Sequence, residues 1–236
     1  MINNIIKRYI KITTKITTIM ITELKITDKE KTNLKNCSDD IYWNEQEIEF
    51  TSGLNVIIGS NGTGKSTLMN LIYSKYKLND RLGGHQNFVY MNLDDGIELS
   101  FEDRIGKIYR ITNNNDVDFT KLVDNFNHLV KTGKISDFKN CSSGESVKRQ
   151  IESILSLCED GDILLLDEPD KCLDIKNREW LTEILIKESE TKQIITVLHD
   201  PIMIAILNNN LYNFIDLDGN YLDEVVEYSR YYQRLI

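Results

Sequence analysis

Proline is almost missing from this sequence, with two residues in 236. Long proline-rich linkers are therefore excluded. Cysteine is sparse too: Cys37, Cys141, Cys158 and Cys172 form no C-x-x-C pair. No secretory leader with a cleavage site is evident, so the four read as reduced thiols of an intracellular, cytoplasmic protein. No stretch approaches about 18 consecutive apolar residues, so no transmembrane segment is expected. Acid is missing from the first 22 residues, which carry Lys7, Arg8, Lys11 and Lys15 for a charge of +4. The remainder holds 24 basic and 37 acidic residues, a charge of −13. An acidic body argues against broad nucleic-acid binding. A local basic groove stays open, so nucleic acid is a possible partner that nothing indicates.

What is present begins with Gly59-Ser60-Asn61-Gly62-Thr63-Gly64-Lys65-Ser66-Thr67. It fits the phosphate-loop pattern G-x-x-x-x-G-K-[ST] at every fixed position. Leu54 to Ile58 before it is a short apolar run, as a buried strand requires. Leu68 to Tyr76 after it has apolar residues at helical spacing. The glycines let backbone N–H groups curl around a phosphate chain. The helix starting inside the motif points its positive dipole end at the same phosphates. Lys65 would reach the β- and γ-phosphates of a nucleotide, and Ser66 would hold Mg²⁺. The bland alternative is a glycine-rich turn that binds nothing; strand, spacing and helix together speak against it. No N-K-x-D motif occurs to read guanine.

Residues 1–19 are rich in Ile, Thr and Lys and contain the near-repeat KITT-KITT. They read as a loose extension, with Met20 as a possible working start. A strand and an amphipathic targeting or surface helix remain alternatives, though β-branched residues are mediocre helix formers. From Met20 the texture changes. Ile21 to Thr27 and Gln46 to Phe50 alternate as half-exposed strands do. Asn79 to Gln86 reads as a loop. Phe88 to Leu93, Ile97 to Phe101 and Lys107 to Thr112 read as strands, with a hairpin signal at Asp95-Gly96. Asp118 to Val130 and Ser142 to Cys158 read as helices. Asp162 to Leu166 and Gln193 to Leu198 read as buried strands. Between them Ile175 to Ser189 is an amphipathic helix whose Trp180 is expected in the core. Pro201 to Leu207 reads as a short helix, and Leu211 to Val226 as a hairpin turning at Asp218-Gly219. The alternation predicts an α/β fold, a P-loop NTPase with a mainly parallel central sheet, an antiparallel β-layer and a small helical subdomain at about residues 116–158. Residues 20–236 would form that domain.

Ile163-Leu164-Leu165-Leu166-Asp167-Glu168 ends an apolar strand on two carboxylates, about 100 residues after the phosphate loop. A solvated strand end is the bland reading. In this context Asp167 would hold Mg²⁺ and Glu168 would orient and polarise an attacking water.

The run continues Pro169-Asp170-Lys171-Cys172-Leu173-Asp174. It resembles the Walker B and D-loop segment of ATP-binding-cassette (ABC) ATPases. Upstream, Cys141-Ser142-Ser143-Gly144-Glu145 resembles a variant of their L-S-G-G-Q signature, and His199 stands where the family places its switch histidine. The resemblance covers roughly residues 50 to 202. It implies ATP as nucleotide, with Mg²⁺, and an ATP-dependent homodimer or a pairing with a related head. In that pairing Ser142, Ser143 and Gly144 cap the γ-phosphate on the neighbour, Asp174 belongs to the nucleotide site and His199 senses the γ-phosphate. Alone, Ser-Ser-Gly-Glu is a helix cap, where free N–H groups also favour an anion. The S-S-G-E form resembles soluble ATPase heads that switch an unidentified protein partner. An energy-coupling subunit of a membrane transporter is the alternative. Asn113 and Gly144 stand 31 positions apart, which leaves little room for the transporter docking region. Gln86, Asn113 or Asn114 are candidates for the family's Q-loop, and Tyr42 or Trp43 for stacking on adenine.

Overall fold

In a computed structural model, the structure describes residues 20–26, 47–81, 97–102, 108–112 and 143–233. In chain order these are β1 (Met20–Ile26), β2 (Glu47–Glu49), β3 (Leu54–Ile58), α1 (Lys65–Arg81), β4 (Ile97–Glu102) and β5 (Ile108–Thr112). Then follow α2 (Ser143–Leu155), β6 (Ile163–Asp167), α3 (Ile175–Glu188), β7 (Gln193–Val197), α4 (Pro201–Asn209), β8 (Asn213–Asp216) and α5 (Tyr221–Gln233).

Five strands form a sheet in the order β5-β6-β7-β3-β8, every neighbouring pair parallel. Strands β3, β6 and β7 are buried at every residue. That is why they lack the apolar–polar alternation of a half-exposed strand, although Asn55, Gln193 and Thr196 are buried among their apolar residues. One face packs on α1 through Leu68, Met69 and Ile72, together with Ile21, Leu24 and Ile48 of the smaller sheet. The other face packs on α2, α3, α4 and α5 through Ile151, Leu181, Leu185, Met203, Leu207 and Val225. The smaller sheet, β2-β1-β4, is antiparallel. Gln193 ties the two sheets together: its side chain accepts from Ile21 N and donates to Ile21 O and Thr51 O, each at 2.8 Å.

The α/β architecture, the mainly parallel sheet and the antiparallel layer are as expected from the sequence. Strand β5 lies beside β6 in the parallel sheet, with Thr112 opposite Asp167. One expectation fails. Leu211 to Val226 is not a hairpin: β8 pairs parallel to β3, and α5 follows it. The Asp218-Gly219 turn signal is real, but Asp216 uses it to start a helix. Its carboxylate accepts from Asp218 N and Gly219 N at 3.0 Å and from Leu222 N at 2.8 Å. Helix α2 docks on α3 with Val147, Ile151 and Ile154 buried. Trp180, expected in the core, is half-buried and packs against it, with Lys148 Nζ 4.9 Å over its ring. The expected strand Phe88 to Leu93, the Asp95-Gly96 turn, the helix Asp118 to Val130 and residues 1–19 lie outside the described residues. So does most of the expected helical subdomain.

Candidate functional site

Sheet topology builds the site. Strands β3, β6 and β7 are neighbours and parallel, so their carboxyl ends deliver residues 59–67, 167–168 and 198–200 to one edge. In open parallel sheets that edge is where ligands bind.

The phosphate loop joins β3 to α1. Gly62 has φ +90°, and a Cβ built on it would meet nothing within 4 Å. The glycine is therefore required by backbone conformation, and the space beside it is open to a ligand. Thr63 donates its hydroxyl to Ser60 O at 2.9 Å. Lys65 is buried and folds back on the loop, donating to Gly59 O at 2.8 Å and Ser60 O at 2.7 Å. Burial pushes its ammonium below the ordinary lysine value, against the nearby carboxylates of Glu168, Asp218 and Asp167. An incoming phosphate offers this cation a stronger partner than two carbonyls.

Ser66 Oγ donates to Asp167 Oδ1 at 3.1 Å, across 101 residues of sequence. Hydroxyl and carboxylate are the hard oxygen donors Mg²⁺ takes when phosphates supply the rest of its shell. Among the described residues no group of three or more His, Cys, Asp or Glu could hold a metal alone. The pair therefore fits Mg²⁺ arriving with a nucleotide. Arg110, on β5, brings a guanidinium nitrogen 3.8 Å from Asp167 Oδ2 and lies over the Tyr73 ring. Burial raises the Asp167 carboxyl above its usual range, while Ser66 and Arg110 draw it back down. The sequence reading missed Arg110. Its only trace there is strand alternation, which places it on the Ile108 side of β5.

Glu168 leaves β6 with φ +55°, a conformation rarely taken by a residue with a side chain and found at constrained sites. Its carboxylate is held at both ends. Oε1 is 3.1 Å from His199 Nε2, and Oε2 accepts from Lys171 Nζ at 2.9 Å. Burial works against its charge, but Lys171 and His199 outweigh burial and the carboxyl sits below the ordinary range. Lys171 is three residues after Glu168, so its partnership was readable from spacing and went unread. Asp170 is buried and ties the ends of β6 and β7. Its Oδ2 accepts His199 N at 2.8 Å and Asp200 N at 2.6 Å. No local pattern shows this link, because its partners stand 29 and 30 residues away. Asp200 in turn caps α4 through Ile202 N and Met203 N and pairs with Arg178. Beside these groups lies an open cavity of about 540 Å³, lined among others by Asn61, Lys171, Cys172, Arg178 and Pro201.

The structure thus brings the loop Gly59 to Thr67 together with Asp167, Glu168 and His199. The other expected residues are placed elsewhere. Ser143 opens α2, and a Cβ on Gly144 would stand 2.7 Å from Cys172 O, so only glycine permits this contact between α2 and the 172–173 segment. Asp174 caps α3, accepting from Asn177 N at 2.8 Å. Ser142, Tyr42, Trp43, Gln86, Asn113 and Asn114 lie outside the described residues.

Residues 40–224 match the protein family described as AAA domain. Over 169 residues the chain is 31% identical to the ATP-binding protein Uup of Buchnera aphidicola subsp. Schizaphis graminum, covering 69% of this chain and 27% of that protein. It is 31% identical over 170 residues to the ribosome protection protein VmlR of Bacillus subtilis, covering 70% and 28%. It is 28% identical over 197 residues to the energy-coupling factor transporter ATP-binding protein EcfA1 of Mycoplasma capricolum, covering 73% and 46%. The matches therefore span between about a quarter and just under half the length of these relatives.

Proposed function

The chain belongs to the AAA-domain family of ABC-type ATP-binding proteins, and from that premise we propose that it hydrolyses ATP and pairs with a second head when ATP is bound, switching a protein partner or assembly. One observation carries this reading: beside the phosphate loop, two 3.1 Å contacts, Ser66 to Asp167 and His199 to Glu168, converge on the adjacent carboxylates that close β6.

In this reading Lys65 exchanges the Gly59 and Ser60 carbonyls for the β- and γ-phosphates. Ser66 and Asp167 hold Mg²⁺, which supplies charge neutralisation on those phosphates. Glu168 accepts a proton from the attacking water as its oxygen bonds to the γ-phosphorus. The bond from that phosphorus to the bridging oxygen breaks, leaving ADP and phosphate. His199 holds Glu168 in place and would sense the γ-phosphate. Ser142, Ser143 and Gly144 cap the nucleotide of the partner head, and of these Ser143 and Gly144 open α2. Asp174 serves this role indirectly, by fixing the start of α3 behind the 170–173 segment. Residues 20–236 form the ATPase unit, residues 1–19 are an extension outside it, and the chain works in the cytoplasm.

A second reading is favoured by the Mycoplasma relative, whose name makes it the ATP-binding part of a transporter. No described helix is long and apolar enough to cross a membrane. Co-purification with a multi-span protein separates the two readings.

The test of the first is Glu168→Gln. Glutamine keeps the side-chain shape but accepts no proton from water. Light scattering should show a dimer of this variant with ATP, a monomer with ADP, and a monomer when Ser142→Arg is added. A monomer under all three conditions would defeat the pairing of identical heads.

A further inference from the structure

The ends of β6 and β7 pose a problem that the sheet alone does not solve. Their ladder pairs Asp167 with Val197, and its last bond is Glu168 N to Val197 O at 3.2 Å. Beyond it the chain turns at Glu168, whose φ is +55°. The backbone N–H groups of His199 and Asp200 therefore run out of strand carbonyls. A backbone N–H shielded from water and left unpaired is costly. Asp170 supplies the missing acceptor, taking both N–H groups on Oδ2 at 2.8 and 2.6 Å. These are charge-assisted bonds, stronger and more directional than a neutral pair. Asp170 is only 4% exposed, and its Oδ1 is buried without a hydrogen-bond partner. One oxygen thus does the work of a strand edge.

The consequence reaches Glu168. The backbone held by Asp170 carries the His199 ring, whose Nε2 is 3.1 Å from Glu168 Oε1. Glu168 and Asp170 belong to one short segment, while His199 comes from another strand. No other bond among those described between residues 168–172 and 199–200 involves a backbone group. We propose that Asp170 is a positioning residue: by holding the His199 and Asp200 backbone it sets the distance between the His199 ring and the Glu168 carboxylate. This rests on the ATPase reading above, in which Glu168 and His199 act together. Among the described bonds none joins the Asp170 side chain to the phosphate loop; its partners are the backbone N–H groups of His199 and Asp200.

The test compares three variants of the full chain. Asp170→Ala removes the acceptor, and kcat for ATP should fall about 10- to 100-fold, the effect of a small misplacement of a reacting group. ATP affinity by calorimetry should stay within about twofold, because Lys65 and Ser66 are untouched. Asp170→Asn keeps one carbonyl oxygen for both N–H groups and should recover most of the rate. Asp162→Ala is the structural control: its carboxylate accepts Glu159 N at 2.7 Å at the far end of β6. It should lower the melting temperature without the loss of rate. Amide hydrogen exchange at His199 and Asp200 should speed up in Asp170→Ala and stay slow in Asp162→Ala. Wild-type kcat in Asp170→Ala, or an equal rate loss in Asp162→Ala, would overturn the proposal. So would unchanged exchange at His199, and that measurement decides the placement even if the wild-type chain turns over no ATP. Absence of turnover in the wild type is instead the failure of the ATPase reading.

Discussion

At the scale of single residues, the site is set by which partners each carboxylate meets. Asp167 faces Ser66 on one oxygen and Arg110 on the other. Glu168 faces His199 and Lys171. Lys171 is the unusual member. Its side chain is 62% exposed, so it can leave Glu168 at little cost. While it stays, it lowers the Glu168 carboxyl below the ordinary value of 4.5. A general base works best when its own value lies near the working pH. Lys171 therefore makes Glu168 a weaker base in the resting head. Lys171→Met should raise basal kcat by about 2- to 10-fold. The sign of the pH effect is fixed as well. Rate is lost as Glu168 takes up a proton, and without Lys171 it does so at higher pH. The acid limb of kcat/KM should therefore move upward in pH. A slower variant, or an acid limb that stays put, would show that Lys171 supports the base rather than restraining it.

At the scale of elements, the contrast between β6 and the β8–α5 segment shows what a sequence discloses. Strand β6 was legible because Ile163 to Leu166 form an unbroken apolar run that two acids, Asp167 and Glu168, close sharply. The phosphate loop was legible because its geometry restricts residue choice at fixed spacings. The β8–α5 segment misled for a physical reason. Asp218-Gly219 fits a hairpin turn and a helix-start loop equally well. What decides is Asp216, whose carboxylate gathers the N–H groups of residues 218, 219 and 222. Tyr221 to Gln233 then buries Val225 against α4 at helical spacing. Contacts such as Asp170 to His199 were illegible, because they join strand ends that only the sheet order brings together. The capping role of Asp216 makes a prediction for this element. Loss of a helix cap costs about 0.5–2 kcal/mol. Asp216→Ala should lower the melting temperature by about 2–5 °C in a chain of this size, read by circular dichroism. An unchanged melting temperature would mean that α5 is held by packing alone.

At the scale of the whole molecule, charge governs how two heads meet. Residues 23–236 carry −13 against +4 in residues 1–22. Two such bodies repel at low ionic strength, so pairing in the proposed closed state works against a field that spans the whole surface. ATP supplies contacts that exist only on closure, and mass action turns them into dimer. Salt acts on the repulsion more than on the buried phosphates, because screening shortens exposed interactions first. Raising NaCl from about 50 to about 300 mM should therefore tighten the ATP-bound dimer of Glu168→Gln, measured by sedimentation or light scattering. The amino-terminal segment provides the internal control. Starting the chain at Met20 removes Lys7, Arg8, Lys11 and Lys15. The remaining head keeps the full −13, so its dimer should be weaker than the full chain's at low salt and approach it at high salt. A dimer that loosens as salt rises would mean that opposite charges face each other across the interface. In that case local pairing, and not the net charge of the bodies, decides how the heads close.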